Sequence, residues 1–393
     1  MPHNPFHIFL VFLKLGFYSF GGPIAHIGYF KNEFVDNKKW LSEAEFSEIV
    51  TLCQFLPGPA SSQTGIAIGF LKGRYLGAIS AWLGFTLPSA AFMLSFAIGF
   101  SKINYHDYAG LFKGLTIAGC AVVLHACYGM INKLCPDISR KIMAVFAVFF
   151  VLLIGQVWAQ YAVIVLSGLF GFFLLKDRST SATPAVFHFK SSKKSALYWL
   201  IAFFILLFSC SVFNLFTNSE FIKLLIHLFN TGSTVFGGGH IVLPLLQNYL
   251  SAHSLISNEV ILSGYGLAQA LPGPLFTFSA FVGASLQIGP HPVITGILCC
   301  LTIFLPSFFL VFSALPFWQE IKRNQNYHHV ISGINAGVVG LLLAVLYDPL
   351  LSSEIQTLQS FILFIIASAA IFFGKTNVIL TVVFCAASGY LFL

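Results

Sequence analysis

Two Pro-Gly-Pro triplets stand inside long apolar stretches of this 393-residue chain, at Pro57-Gly58-Pro59 and Pro272-Gly273-Pro274. Proline removes a backbone donor and clashes with the preceding turn, so each triplet interrupts a helix. Broken backbone at membrane depth is tolerated only against protein or a wet cavity. Each break exposes the start of a half-helix: Ala60-Ser61-Ser62-Gln63-Thr64 after the first, Leu275-Phe276-Thr277 after the second. Free N–H groups and the positive end of the helix dipole suit an anion there. The hydroxyls of Ser61, Ser62, Thr64 and Thr277 either add donors to that anion or only cap the half-helix. Gln54 and Gln269 precede the breaks at equivalent places, where an amide can bond a freed backbone group or a ligand.

A cation joins this set. Lys14, Tyr18, Gly21 and Gly22 follow one another at i, i+4, i+7 and i+8, on one face of the glycine-broken first helix. A lysine within a spanning segment is costly and marks a functional site by default, the alternative being that it snorkels to an interface. The equivalent place in the second half holds Asn230, followed by Thr234, Gly237 and Gly238. His26 and His240 lie just past the two Gly-Gly pairs, where each can bind an oxyanion, relay a proton or serve packing. The 13 acidic residues lie at segment ends or in loops. Cation carriers and many proton pumps need a central carboxylate, so the balance favours an anion.

The elements that must position these groups are membrane helices. The chain is 57% hydrophobic and 8% charged, against about 25% charge in a soluble domain. Apolar segments read near 6–22, 76–100, 110–130, 142–155, 158–175, 197–216, 223–238, 292–316, 329–347, 358–373 and 376–393, most of them long enough to span. The stretches 44–72 and 258–289 read as pairs of half-helices around the breaks. Gly65, Gly69, Gly73 and Gly77 form a ladder for close helix packing. The net charge of +7 is spread over short loops, without the continuous basic face that nucleic acid needs. The N-terminus has no basic n-region, so no removable signal peptide is expected. The eight cysteines are scattered with no zinc spacing, and no H-E-x-x-H, P-loop or nucleophile–base pair occurs. No cofactor, metal or enzymatic activity is expected.

The halves repeat one another. Phe20-Gly21-Gly22 returns as Phe236-Gly237-Gly238, Gln54 to Pro59 as Gln269 to Pro274, and Leu87-Pro88-Ser89 as Leu305-Pro306-Ser307. The order is kept at an offset of roughly 215–219, a strong repeat signal. The expected architecture is an all-α polytopic membrane protein of two homologous, inverted repeats with about 13 membrane segments, each broken segment crossing once. The first repeat spans 1–175, a cytoplasmic linker 176–195, and the second repeat 196–393, preceded by an extra helix at 197–216. With the N-terminus inside, Lys72, Arg74, Lys133, Arg140, Lys141, Lys322, Arg323 and Lys375 fall on the cytoplasmic side, while Lys31, Lys38, Lys39, Lys102 and Lys223 do not. Re-entrant broken segments suit the first half better but carry Lys322, Arg323 and Lys375 outside.

The Phe-Gly-Gly-Pro start, Trp40-Leu41-Ser42-Glu43, the Gln-Phe-Leu-Pro-Gly-Pro break and the second copies resemble the chromate ion transporter family over nearly the whole chain. The resemblance implies a long two-domain member: an inner-membrane secondary carrier exporting chromate, with sulfate as an analogue. Matching positions are Gly21, Gly22, Pro23, His26, Gln54, Pro57, Gly58 and Pro59. The second copy departs, with Gly239 in place of Pro23 and His240 placed earlier than His26. The expected partners are the oxyanion and the lipid bilayer, with a homodimer left open. The alternative functions are a passive anion channel, or a carrier whose physiological cargo is sulfate or another small anion.

Overall fold

The computed structural model describes residues 4–20, 22–100, 109–155, 157–175, 193–235, 242–253, 255–286, 288–318, 325–352, 355–373 and 378–392. Gly21, Gly237, Gly238 and His240 lie outside them, as does the linker up to residue 192. Every regular element among the described residues is a helix, with no strand. Among them, five helices are long and apolar enough to cross a membrane: Ala60–Gly99, Lys113–Asn132, Lys193–Phe216, Pro292–Phe317 and His329–Asp348.

The chain forms two compact units, and each draws on both halves of the sequence. The first comprises Met1–Phe96, Ser179–Gly239 and Pro272–Asn324; the second comprises Ala97–Arg178, His240–Leu271 and Gln325–Leu393.

In the first unit, α1 (Pro5–Tyr18) starts on an Asn4 cap with proline in its first turn, and ends where the Ser19 N–H bonds the Leu15 carbonyl. Gly22, at φ +75°, then opens α2 (Gly22–Lys31). The expectation of one face carrying Lys14, Tyr18 and Gly22 is therefore corrected. The helix stops before the glycines, because Gly22 adopts a left-handed turn that a helix cannot continue through. Helix α2 and the turn after it fold back along α1: Phe30 meets Phe12 edge-on, Phe34 packs against Phe12 at a tilt, and Phe34 and His7 both lie against Trp40. A Ser42–Glu45 capping box begins α3 (Glu43–Phe55).

Helix α4 (Ala60–Phe100) is itself a hairpin. Gly73 and Arg74 leave helical geometry, Arg74 at φ +53°, and the limbs 60–72 and 75–100 meet where Gly69 and Gly77 press on each other's backbone. The glycines thus serve close packing, but the expected single helical ladder is corrected: the kink at Gly73 places Gly69 and Gly77 on facing limbs, and Gly65 lies against Phe12. Lys72 at the end of the first limb donates to the Trp40 carbonyl. The segment 40–72 accordingly leaves one place and returns to it, with Pro57-Gly58-Pro59 at the tip.

The later part of this unit repeats the plan. Helices α8 (Lys193–Phe216) and α9 (Glu220–Thr234) precede α12 (Phe278–Ser285) and α13 (Pro292–Ala314). Gly283 and Gly296 bring α12 and α13 together as Gly69 and Gly77 do in α4. Gly16 seats α1 on Gly84 and Phe85, and Gly232 seats α9 on Ile303. The long limb of α4 runs antiparallel to α13: Tyr75 meets Phe312, Trp82 meets Phe304 and Phe308, and Leu94 meets Gly296. On α8 Ala196 and Phe203 are buried and Trp199 packs on Tyr75, Phe309 and Phe312, while Tyr198, Phe204, Ile205, Phe208 and Phe213 are exposed, a face suited to the hydrocarbon of a bilayer.

The second unit holds α5 (Ala109–Leu134), α6 (Ile138–Ile154), α7 (Val157–Leu174), α10 (Val242–Ala252), α11 (Asn258–Ala270), α14 (Gln325–Val345), α15 (Leu358–Phe372) and α16 (Val378–Phe392). Helix α5 packs on α15 and α16, and α14 packs on α6 and α7. The contacts match residue for residue: Gly114 lies against Cys385 and Gly389, as Gly333 lies against Ser167 and Gly171. Helices of the early sequence are thus held by helices of the late one.

Candidate functional site

Both Pro-Gly-Pro breaks fall in the first unit, and each is fastened to the helix end of the opposite copy. The Gly58 N–H donates to the Val235 carbonyl, the C-cap of α9, at 2.6 Å. The Gly273 N–H donates to the Ser19 carbonyl, the C-cap of α1, at 3.0 Å. Helix C-termini leave carbonyls without intrahelical partners, and the breaks supply the missing donors. Glycine is required twice over. Gly58 has φ +121° and Gly273 φ +97°, conformations that cost an L-residue dearly. A side chain on Gly58 would also lie 2.5 Å from Gln63 Nε2 and 3.1 Å from Ser307 Oγ; one on Gly273 would lie 2.8 Å from Ser89 Oγ. The Leu-Pro-Ser motif of each copy therefore abuts the break of the other.

His26 links the two breaks. Its Nε2 lies 3.1 Å from the Ser19 carbonyl, and its Nδ1 3.3 Å from Ser61 Oγ. A carbonyl only accepts, so Nε2 carries a proton and donates; in the neutral ring Nδ1 then accepts from the Ser61 hydroxyl. The Ser19 carbonyl thus receives both His26 and Gly273. With both nitrogens engaged and the ring 1% exposed, His26 is fixed as a clip.

The two breaks differ in how their polar groups are satisfied. At the second, the Thr277 hydroxyl donates to the Pro274 carbonyl and the Ser279 hydroxyl to that of Phe276, each at 2.8 Å. At the first, Thr64 returns to Ala60 at 2.8 Å, and Gln63 Nε2 donates to the Pro57 carbonyl at 2.6 Å. The Gln63 Oε1, Ser62 Oγ and Ser307 Oγ atoms are buried with no hydrogen-bond partner. The Ser19 and Thr231 hydroxyls and the Asn230 Oδ1 are buried and unpartnered too.

Other expected site residues lie elsewhere. Lys14 and Gln54 are exposed, on α1 and α3. Gln269 belongs to α11 of the second unit, where it hydrogen-bonds Tyr265. Pro57 is half-buried and Pro59 buried, at the tip. Sequence reasoning missed Gln63 and Ser307, although a lone amide beside a break and a serine inside a repeated motif were both visible. It also set Glu48 aside as peripheral. That carboxylate is buried in α3 and accepts from Trp318 Nε1 at 2.6 Å. No group of three or more metal-ligating side chains occurs among the described residues.

A family model described as Chromate transporter matches residues 6–172 and again 222–390. The intervening α8 lies outside both matches. The uncharacterized transporter MJ0718 of Methanocaldococcus jannaschii is 29% identical over 403 residues, covering 100% of this chain and 96% of its own length. The chromate transport protein of Pseudomonas aeruginosa is 27% identical over 357 residues, covering 87% of this chain and 80% of its own length. The chromate transport protein of Cupriavidus metallidurans is 23% identical over 345 residues, covering 85% and 79%. No solved structure matches the chain.

Proposed function

This chain belongs to the chromate transporter family, and we propose that it is a secondary active carrier of a tetrahedral oxyanion, exporting chromate across the inner membrane with sulfate as an analogue. The observation that carries this reading is the reciprocal fastening of the two breaks. Half-helix starts, glycine turns and unpartnered hydroxyls gather in one unit, each half-site held by the other copy. Amide donors at a half-helix start attract an anion, and low polarity around them strengthens the attraction.

We further propose two inverted repeats whose broken segments re-enter rather than cross. Antiparallel pairing of the equivalent limbs, 75–96 with α13, supports the inversion. The Lys72–Trp40 bond and the fold-back of α2 support re-entry. Lys31, Lys38, Lys39, Lys72 and Arg74 then share one end of the first unit, together with the start of α8. Positive charge marks that end as cytoplasmic, and the N-terminus with it. The cations that contradict a once-crossing reading of the first half thereby fall into line. Rocking of two inverted halves about a central site is the mechanism such an architecture supports.

Exposed Lys14 acts in this scheme by drawing anions in. Lys14→Met is expected to raise KM several-fold with little change in maximal rate. The decisive test uses proteoliposomes of the purified full chain: labelled chromate should accumulate saturably under an imposed proton gradient and exchange with unlabelled anion on the far side. Unsaturable, ohmic conductance would make it a channel, and absence of chromate flux would refute the cargo.

A further inference from the structure

We propose that the first break selects the singly protonated form of the oxyanion, hydrogen chromate rather than the dianion, with Gln63 as the acceptor for its hydroxyl. This rests on the oxyanion reading above and adds the ionic form of the ligand. The observation behind it is the Gln63 carboxamide, whose residue is 0% exposed. Its Nε2 donates to the Pro57 carbonyl, and flipping the amide would set two acceptors 2.6 Å apart, so the orientation is fixed. The Oε1 atom is left buried and unpartnered. A buried acceptor without a donor costs on the order of 1–3 kcal/mol, so it calls for a ligand that brings a proton.

The surrounding groups suit the rest of such an ion. Ser62 on the first turn and Ser307 from the other copy, 2% and 0% exposed, each carry an unpartnered hydroxyl. Both can donate to charged oxygens, beside the free N–H groups that begin the half-helix. No lysine or arginine side chain among the described residues bonds this set. One negative charge is easier than two to hold on hydroxyls and amides alone. The second break lacks the device, because Phe278 stands where Gln63 stands and its hydroxyls are self-satisfied.

Protonation also sorts the anions. Hydrogen chromate loses its proton near neutral pH, whereas sulfate carries none except in strong acid. A site with an obligatory acceptor therefore binds chromate as its protonated form and disfavours sulfate. Other titratable groups on the packed elements are His26 on α2, exposed His7 and Lys14 on α1, Glu48 and the buried Cys53 on α3, and Lys72 at the mouth of the hairpin. From the opposite copy come the buried His227 on α9 and the thiols Cys299 and Cys300 on α13. His26 is bonded to Ser61 of the half-helix and Cys53 to Thr64, so His26→Gln and Cys53→Ala serve as the controls.

The experiment measures equilibrium binding of labelled chromate and sulfate to the detergent-purified full chain across pH. Wild-type Kd for total chromate should rise about tenfold per pH unit above the deprotonation of hydrogen chromate, with sulfate competing weakly. Gln63→Leu should flatten that slope and narrow the gap to sulfate. Ser62→Ala and Ser307→Ala should weaken binding about tenfold. His26→Gln and Cys53→Ala should keep the slope. Chromate binding that is pH-independent in the wild type, or a slope that survives Gln63→Leu, overturns this inference and leaves the cargo reading standing. No binding of either ion at any pH overturns both.

Discussion

At the scale of the residue, two glycines and one carboxylate bear the most specific demands. Gly58 and Gly273 combine a left-handed backbone with a neighbour in the space a side chain would fill. Gly58→Ala and Gly273→Ala are each expected to lower transport at least tenfold at unchanged expression, whereas Gly28→Ala, with open space around it, should be neutral. Transport assayed in vesicles of matched protein content decides this; activity retained in Gly58→Ala would mean that the break tolerates rearrangement. Glu48 presents a different case, since its carboxylate satisfies the indole of buried Trp318. Glu48→Leu removes that buried bond, a loss of about 1–3 kcal/mol. Glu48→Gln keeps an acceptor oxygen in place. Thermal melting in detergent should separate the two, and equal melting temperatures would show that the bond matters little.

At the scale of the element, the hairpins are set by small residues and by what closes their mouths. The limbs of α4 touch at Gly69 and Gly77, and α12 touches α13 at Gly283 and Gly296. Helices meeting in lipid gain little from hydrophobic exclusion, so close van der Waals approach must hold them. Gly69→Leu and Gly283→Leu should each cost roughly 1–3 kcal/mol through overpacking, read as a lowered melting temperature and reduced yield. Gly99→Ala, with nothing nearby, should melt as the wild type does. Indistinguishable melting of Gly69→Leu and the wild type would mean that the limbs are not held at this contact.

At the scale of the whole molecule, neither compact unit is one half of the sequence. In the first unit the breaks exchange hydrogen bonds across the copies; in the second, α5 packs on the late helices and α14 on the early ones. Folding of either copy thus requires the other, and equivalent damage should have equivalent effect. Gly114→Leu and Gly333→Leu fill matching contacts, against Cys385 and Ser167 respectively. Both should lower the melting temperature by similar amounts, in a single shared transition. Two separate transitions, or damage confined to one variant, would refute the interdependence.

Much was legible along the chain alone. Proline and glycine act on their own local backbone, so the two breaks and the doubled motif order could be read from position and spacing, whereas the kink at Gly73 that splits the glycine ladder could not. The apolar composition identified lipid as the solvent, and the resemblance pointed to the family that the two matched regions establish. Other features depend on which surface meets which. Lys14 looked central by counting along a helix, yet α1 ends at Tyr18 and leaves that side chain exposed. Gln54 and Gln269 looked equivalent, yet they belong to different units. The exchange of Gly58 and Gly273 between the two copies, the return of 40–72 to its starting place and the unpartnered oxygens at Gln63 and Ser307 come from contacts between residues far apart in sequence. Periodicity records only which side of an element is apolar; the partner that covers that side is chosen when the chain folds.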